Sequence, residues 1–221
     1  CFDTAPLYGA GLSERRLGAA LRGARRERLI IATKVGRLVC PDGRVVFDWS
    51  AAGVRRSLAE SLERLGLDRI DVVHLHDPDD HYEQVVAEAL PALLALRAQG
   101  VVGAVGAGMN QWQMLGLLAQ GGALDCVLLA GRYTLLEQGA EAFLDRCAAQ
   151  RLPVLLGGVL NSGILATGAR AGAKYNYDDA PPAVVRRVRA LERVCAKHGV
   201  PLHPAALQFP LRHRAVSTLV V

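Results

Sequence analysis

Short, nearly continuous apolar runs recur along the chain at intervals of about 25–40 residues. They are LIIATK (29–34), IDVVHLH (70–76), VVGAVG (101–106), CVLLA (126–130), PVLLGG (153–158) and STLVV (217–221), and CFD at the start reads as the tail of another. Runs of this length suit parallel strands buried on both faces. Amphipathic stretches lie between them. Ser13 is placed to cap a helix through SERRLGAAL. Ser50 is placed to cap AAGVRRSLAESLERLG, where Leu58, Leu62 and Leu65 recur at helical spacing and Gly66 gives a stop. A further helix is predicted over 83–99 with a kink or break at Pro91. Asn110 can cap QWQMLGLLAQ, and residues 138–150, 181–198 and 204–213 complete the set.

Strand–helix alternation repeated this often implies a parallel α/β fold. Seven strands are visible, the first cut short. A (β/α)₈ TIM barrel has eight strands in about 250 residues. The expectation is therefore such a barrel, residues 1–221 forming one domain with the first strand and a C-terminal segment outside the chain. No GxGxxG follows the first strand, so a dinucleotide-binding doubly wound sheet lacks support. The longest irregular stretches, 35–49, 77–82 and 157–180, all follow strands, which in a barrel places them at the catalytic face.

Composition changes this picture little. Of 221 residues, 51% are hydrophobic and 21% charged, as in ordinary globular domains. No apolar run reaches the roughly 18 residues a membrane span needs. The net charge is +5, and only Lys34, Lys174 and Lys197 are lysines. Arg15, Arg16, Arg22, Arg25, Arg26 and Arg28 cluster around the first helix. Without interleaved aromatics they read as a solvated face rather than a nucleic-acid surface. Five cysteines with no CxxC suit buried, reduced thiols and a cytoplasmic location. The partner expected is a small molecule, with neither nucleic acid nor membrane.

Candidate chemistry sits where apolar strands end. Lys34 closes LIIATK, and a lysine there must pair, shift or snorkel. Asp3 and His76 close the neighbouring strands, and Tyr8 lies five residues beyond Asp3. The four on one face would suit proton transfer to a carbonyl or alcohol oxygen. An ammonium favours a nearby phenolate, so Tyr8 would act as acid or base, Lys34 paired to Asp3 would tune it, and His76 would hydrogen-bond the reacting oxygen. None of these is an electron sink, so a hydride must come from a cofactor.

These residues resemble the aldo-keto reductase superfamily. DTAPLYGAGLSERRLG looks like its DTAxxYGxxExxLG signature, ATKVG like its strand-end lysine motif and DVVHLHDPD like the strand ending in its histidine. The resemblance runs over essentially the whole chain. It implies a (β/α)₈ barrel, NADP or NAD as cofactor, and Asp3, Tyr8, Lys34 and His76 as a catalytic tetrad. GAGMNQWQM, LLAGRYTLLEQ, GGVLNSGIL and AALQFPL look like the family's sugar 1-dehydrogenase subgroup, which implies oxidation of a lactol or aldehyde. GAGMN stands where the family has GVSN, which holds the nicotinamide amide. Ungapped, Gly108 and Met109 take that place, and with a one-residue shift Asn110 does, unless Asn110 is only a helix cap. Ala130 and Gly157 replace the family's amide-binding Gln and stacking aromatic. The resemblance also implies backbone contacts to a pyrophosphate from Gly158, Leu160 and Ser162.

Other readings compete. His74 and His76 at i, i+2 would also suit a metal-dependent amidohydrolase, but His81, His198, His203 and His213 are not at strand ends. That leaves His74 as a packed interior residue and no metal expected. Asp77, Asp79 and Asp80 read as solvating a loop. Trp49 is a candidate wall of a sugar pocket, while Trp112 on its helix reads as core. A general aldehyde or ketone reductase and a cofactor-sensing regulatory protein of the same fold remain alternatives.

Overall fold

In a computed structural model that describes residues 1–40 and 42–221, the apolar runs become strands. They are β1 (Phe2–Asp3), β2 (Ile31–Val35), β3 (Arg37–Val39), β4 (Val45–Phe47), β5 (Ile70–His76), β6 (Val102–Met109), β7 (Cys126–Ala130), β8 (Val154–Gly157), β9 (Lys174–Tyr175), β10 (Asp178–Asp179) and β11 (Val216–Val220). Seven form one sheet in the order β1-β2-β5-β6-β7-β8-β11, and the registers between β1 and β2, β2 and β5, β5 and β6, and β8 and β11 are parallel. Chain order equals spatial order, as the (β/α)₈ class requires. The helices are α1 (Leu12–Leu21), α2 (Ala51–Leu65), α3 (Tyr82–Gln84), α4 (Leu90–Ala98), α5 (Trp112–Gln120), α6 (Glu141–Gln150), α7 (Ile164–Thr167), α8 (Pro182–Lys197) and α9 (Leu202–Gln208). Among the described residues no helix is long and apolar enough to cross a membrane.

The chain divides into two compact units, Cys1–Met109 with Met114–Val127, and Asn110–Gln113 with Leu128–Val221. In the first, Ser50 caps α2 by accepting from the Gly53 N–H, and Gly66 ends it at φ 67°. Ser13 does not cap α1. The cap position is Gly11 in the left-handed region, and the Ser13 hydroxyl instead accepts from Thr4 at 2.8 Å. Pro91 does not break its helix either. A π turn, Val85–Ala89, joins α3 to α4, with Pro91 in the first turn of α4. A proline lacks an N–H to donate and its ring crowds the carbonyl four residues back, which a wider turn relieves.

In the second unit, Leu136, Ile164, Leu165, Val184, Val188 and Ala206 gather α7, α8 and α9 into one core cluster. Two stretches read as irregular carry antiparallel hairpins: β3 with β4 inside 35–49, and β9 with β10 inside 157–180. These strands are two or three residues long, too short for an alternating pattern to show. The five cysteines are free. Cys126 and Cys147 are buried, which pushes their thiols up to about 12 and about 11, whereas Cys1 is exposed.

Candidate active site

Parallel pairing of β1, β2 and β5 brings the ends of three strands together in the first unit. Asp3 is opposite Ala32, and Lys34 is opposite His74. Alternation along a strand then sorts the side chains. Thr33 points to one face and donates to Glu14 of α1 at 2.6 Å, while Lys34 points to the other. Lys34 Nζ donates to Asp3 Oδ2 at 2.6 Å and to the Thr4 carbonyl at 2.9 Å. The two side chains are 2% and 5% exposed. Burial pushes the Asp3 carboxyl above its ordinary value, and the adjacent Lys34 ammonium opposes that rise. A pair this dry persists only with additional hydrogen bonds, and the Thr4 carbonyl supplies one.

Tyr8 and His76 complete the cluster. The Lys34 ammonium lies 4.7 Å from the Tyr8 ring centroid, within cation–π range. The Tyr8 and His76 rings meet edge to face at 6.0 Å. Tyr8 is 40% exposed and His76 only 6%. Asp3, Tyr8, Lys34 and His76 therefore converge, with the phenol as the open member. Burial, then the charges of Lys34 and Arg37 and the neighbouring His74, hold His76 down to about 3. His74, fully buried one layer below on the same strand face, is also held to about 3, by burial and then by Lys34. Both imidazoles are neutral near pH 7. His74 fills the space left by Gly106, where a Cβ would come within 2.5 Å of its Nδ1. It is the packed interior residue the sequence suggests, although neither ring nitrogen has a partner.

Asp77 and Trp49, beside this cluster, are placed differently from what the sequence suggests. Asp77 does not simply solvate a loop. It follows His76 at φ 50°, its Oδ2 pairs with Arg37 of β3 at 2.5 Å, and the same oxygen is 3.8 Å from His76 Nε2. Burial raises its carboxyl and Arg37 opposes the rise. Trp49 is 1% exposed rather than open to a solvent-filled pocket. Its ring covers Gly36, where a Cβ would sit 2.1 Å from Cζ3, and lies 6.2 Å from the His81 ring. Trp112 is half-buried.

Sequence reading also passed over what supports the Tyr8 loop. Glu14 is completely buried on α1, and besides Thr33 it accepts from Arg64 Nε at 2.6 Å. A signal existed: Glu14 shares a helix face with Gly18, where any Cβ would strike the Leu65 carbonyl at 2.6 Å.

The second unit holds the residues implied for a cofactor. After β8 the backbone is left-handed at Gly158 (60°), Asn161 (47°), Ser162 (57°) and Gly163 (91°). Gly158–Gly163, with Tyr177, Val220 and Val221, line a cavity of about 250 Å³. Asn161, unnoticed in the sequence, is 4% exposed and fastens the loop. Its Oδ1 accepts from Thr134 at 2.6 Å and its Nδ2 donates to the Gly131 carbonyl at 3.3 Å. The Ser162 hydroxyl accepts from the Tyr177 N–H, and Leu160 is half-buried. Asn110 donates its amide to the Ala130 carbonyl at 2.8 Å, which leaves Oδ1 as its acceptor end. Met109, its rival for that role, is an apolar side chain 2% exposed. The loop runs as successive turns, with the Asn161 and Gly163 N–H groups donating to the Gly158 and Leu160 carbonyls at 2.9 and 3.0 Å, and turn backbone of this kind can form the concavity that the pyrophosphate of a dinucleotide would need.

Comparison with known proteins identifies the family and the fold. The model of the aldo/keto reductase family matches residues 1–221. The chain is 40% identical to D-threo-aldose 1-dehydrogenase of Pseudomonas sp, over all of the chain and 74% of that protein. It is 37% identical to pyridoxal 4-dehydrogenase of Microbacterium luteolum, again over all of the chain and 74% of that protein. The solved structure of a glycerol dehydrogenase from Gluconobacter oxydans superposes with a TM-score of 0.81 at 24% identity, covering 98% of this chain and 70% of that one, a likeness of fold.

Proposed function

The chain belongs to the aldo/keto reductase family of oxidoreductases, and on that premise we propose that it oxidises an aldose at C1 to a lactone with NADP or NAD as acceptor. The observation that carries this reading is the convergence of Tyr8 and His76 on a buried Asp3–Lys34 pair. The 40% identity to a D-threo-aldose 1-dehydrogenase supports the choice of substrate class.

Tyr8 is the only open proton-exchanging group of the cluster. In oxidation it takes the proton from O1 of the sugar, and in reduction it returns a proton to the carbonyl oxygen. Lys34 stabilises the phenolate in that exchange, and Asp3 holds Lys34 in place through their 2.6 Å contact. His76, held to about 3, is too weak a base to compete for the proton at neutral pH. It remains neutral and donates one N–H to the reacting oxygen, fixing its position. Nicotinamide supplies, when bound, the hydride acceptor that no side chain here provides. Gly158, Leu160 and Ser162 would hold its pyrophosphate through the backbone, and Asn110 its amide. Trp49, packed over Gly36 and 1% exposed, offers no open stacking face.

The test is a steady-state dehydrogenase screen of the full chain with NAD⁺ and NADP⁺ over aldoses and pyridoxal, with the product identified. Lactone formation from an aldose is expected. Turnover confined to simple aromatic aldehydes with NADPH would reassign the protein as a general reductase. Cofactor binding without turnover would favour a regulatory role. The 37% identity to a pyridoxal 4-dehydrogenase is the observation that keeps an aldehyde substrate in the screen.

A further inference from the structure

We propose that Arg37 and Asp77 form a hydroxyl-reading subsite beside His76, selecting substrates that carry a hydroxyl on the carbon next to the reacting one. The inference rests on the proposed chemistry at Tyr8 and His76 and names the feature of the substrate that the site recognises.

The geometry is specific. Asp77 Oδ2 is 3.8 Å from His76 Nε2, too far for a hydrogen bond between them. It is the right separation for two anchors of a vicinal pair. Gauche oxygens on adjacent carbons lie roughly one hydrogen-bond length apart, about 2.9 Å. One oxygen can therefore accept from His76 while its neighbour donates to Asp77. A carboxylate takes several hydrogen bonds, so the contact from Arg37 at 2.5 Å leaves capacity for a hydroxyl. Arg37 carries further terminal N–H donors for the lone pairs of the same hydroxyl. The Arg37 and Asp77 side chains are 31% and 26% exposed, so a solute can reach both. The carboxylate accepts from a hydroxyl and the guanidinium donates to it, a pairing that an aldehyde oxygen alone does not need.

The simpler role for this pair is to fasten the β3–β4 hairpin to the end of β5. The hairpin has other fastenings. Its strands pair with each other, the Asp48 N–H donates to the Gly36 carbonyl at 2.9 Å, and Trp49 packs over Gly36. Asp77 also holds a left-handed backbone immediately after His76, a conformation that persists at sites where a side chain must be aimed.

The experiment compares kcat/KM for the best aldose of the screen with that for its 2-deoxy analogue, in wild type, Asp77→Asn and Arg37→Gln. Asparagine tolerates the left-handed backbone at position 77. The ratio within one variant does not depend on the fraction folded. Arg37→Gln provides the same test should Asp77→Asn not fold. A charge-assisted hydrogen bond made only by the hydroxylated substrate predicts a wild-type preference of about 10- to 100-fold. Each variant should bring that preference to about threefold or less. A wild-type ratio within about twofold of one overturns the proposal. So does a variant that loses both substrates in proportion, because the pair would then act on the fold or on His76. Failure of the wild type on every sugar and aldehyde is a different result, which removes the oxidoreductase reading itself and this subsite with it.

Discussion

The cluster of Asp3, Tyr8, Lys34 and His76 and the loop Gly158–Gly163 are built from opposite materials. The first is side-chain chemistry on regular strand ends: a buried ion pair, a neutral imidazole and one open phenol. The second contains no ionisable group at all. Its polarity is uncharged, a backbone of turns with four left-handed residues fastened by Asn161. The first is costly to assemble, because two charges leave water, and it depends on each charge keeping its partner. The second is costly in backbone strain, and it depends on hydrogen bonds that hold the strained conformation. Damage to the first should therefore fall on chemistry and folding, and damage to the second on binding.

The largest expected effect is on chemistry. Tyr8→Phe keeps the ring and its packing but removes the proton-exchanging hydroxyl. Turnover should fall by about 10²–10⁴, while cofactor titration followed by fluorescence stays close to wild type. Retention of more than about a tenth of the rate, above the range for general acid–base catalysis, would take the proton away from Tyr8.

Next is Lys34→Met. It leaves Asp3 buried without its partner, a loss of about 3–5 kcal/mol by the usual measure for broken buried pairs. Urea unfolding should show it, and turnover should fall with it. Asp3→Asn, which leaves Lys34 able to donate to the Thr4 carbonyl, should cost less on both counts. The reverse order would remove Lys34 from its assigned place.

Asn161→Gly sharpens the contrast from the other side. Glycine keeps the left-handed backbone but deletes both side-chain hydrogen bonds. The loss of about 1–3 kcal/mol expected for such contacts should weaken cofactor binding roughly 5- to 150-fold, with kcat at saturating cofactor nearly intact. An equal fall in kcat would show that the loop does more than bind.

The smallest effect is on acid stability. His74 and His76 are held near 3 in the folded chain against an ordinary value of 6.5. Between those values the unfolded chain binds more protons than the folded one. Their contribution is therefore complete above about pH 6.5 and is lost as pH falls toward about 3. Burial of Asp3 and Asp77 raises their carboxyls and pulls the other way above their ordinary value. A comparison of variants isolates the histidine share. His74→Leu should flatten the stability–pH slope between pH 4 and 6.5 by at most about 1.4 kcal/mol per pH unit. An unchanged slope would mean that His74 is not held neutral.

How much could be read in advance followed the same division. The strand ends were legible because continuous apolar runs mark buried strands, and a polar residue closing one needs a reason to be there. Lys34, Asp3 and His76 carry that signal in the sequence itself. Asn161 carried none, since its importance lies in a φ of 47° and two partners, Thr134 and Gly131, distant along the chain. Glu14 was visible as a letter in a motif, but its pairing with Arg64, fifty residues on, was not.

The sequence by itself determined the alternation of strands and helices, the strand order that follows from short right-handed crossovers, and the residues able to exchange a proton. Those depend on local periodicity and on intrinsic side-chain chemistry, which need no third dimension. The tertiary structure decided which charges leave water and which partner each one keeps. It turned Asp77 from a loop residue into the partner of Arg37 beside His76, and buried Trp49 over Gly36. Ion pairing and burial depend on distances between residues remote in the chain, and a linear pattern cannot specify those distances.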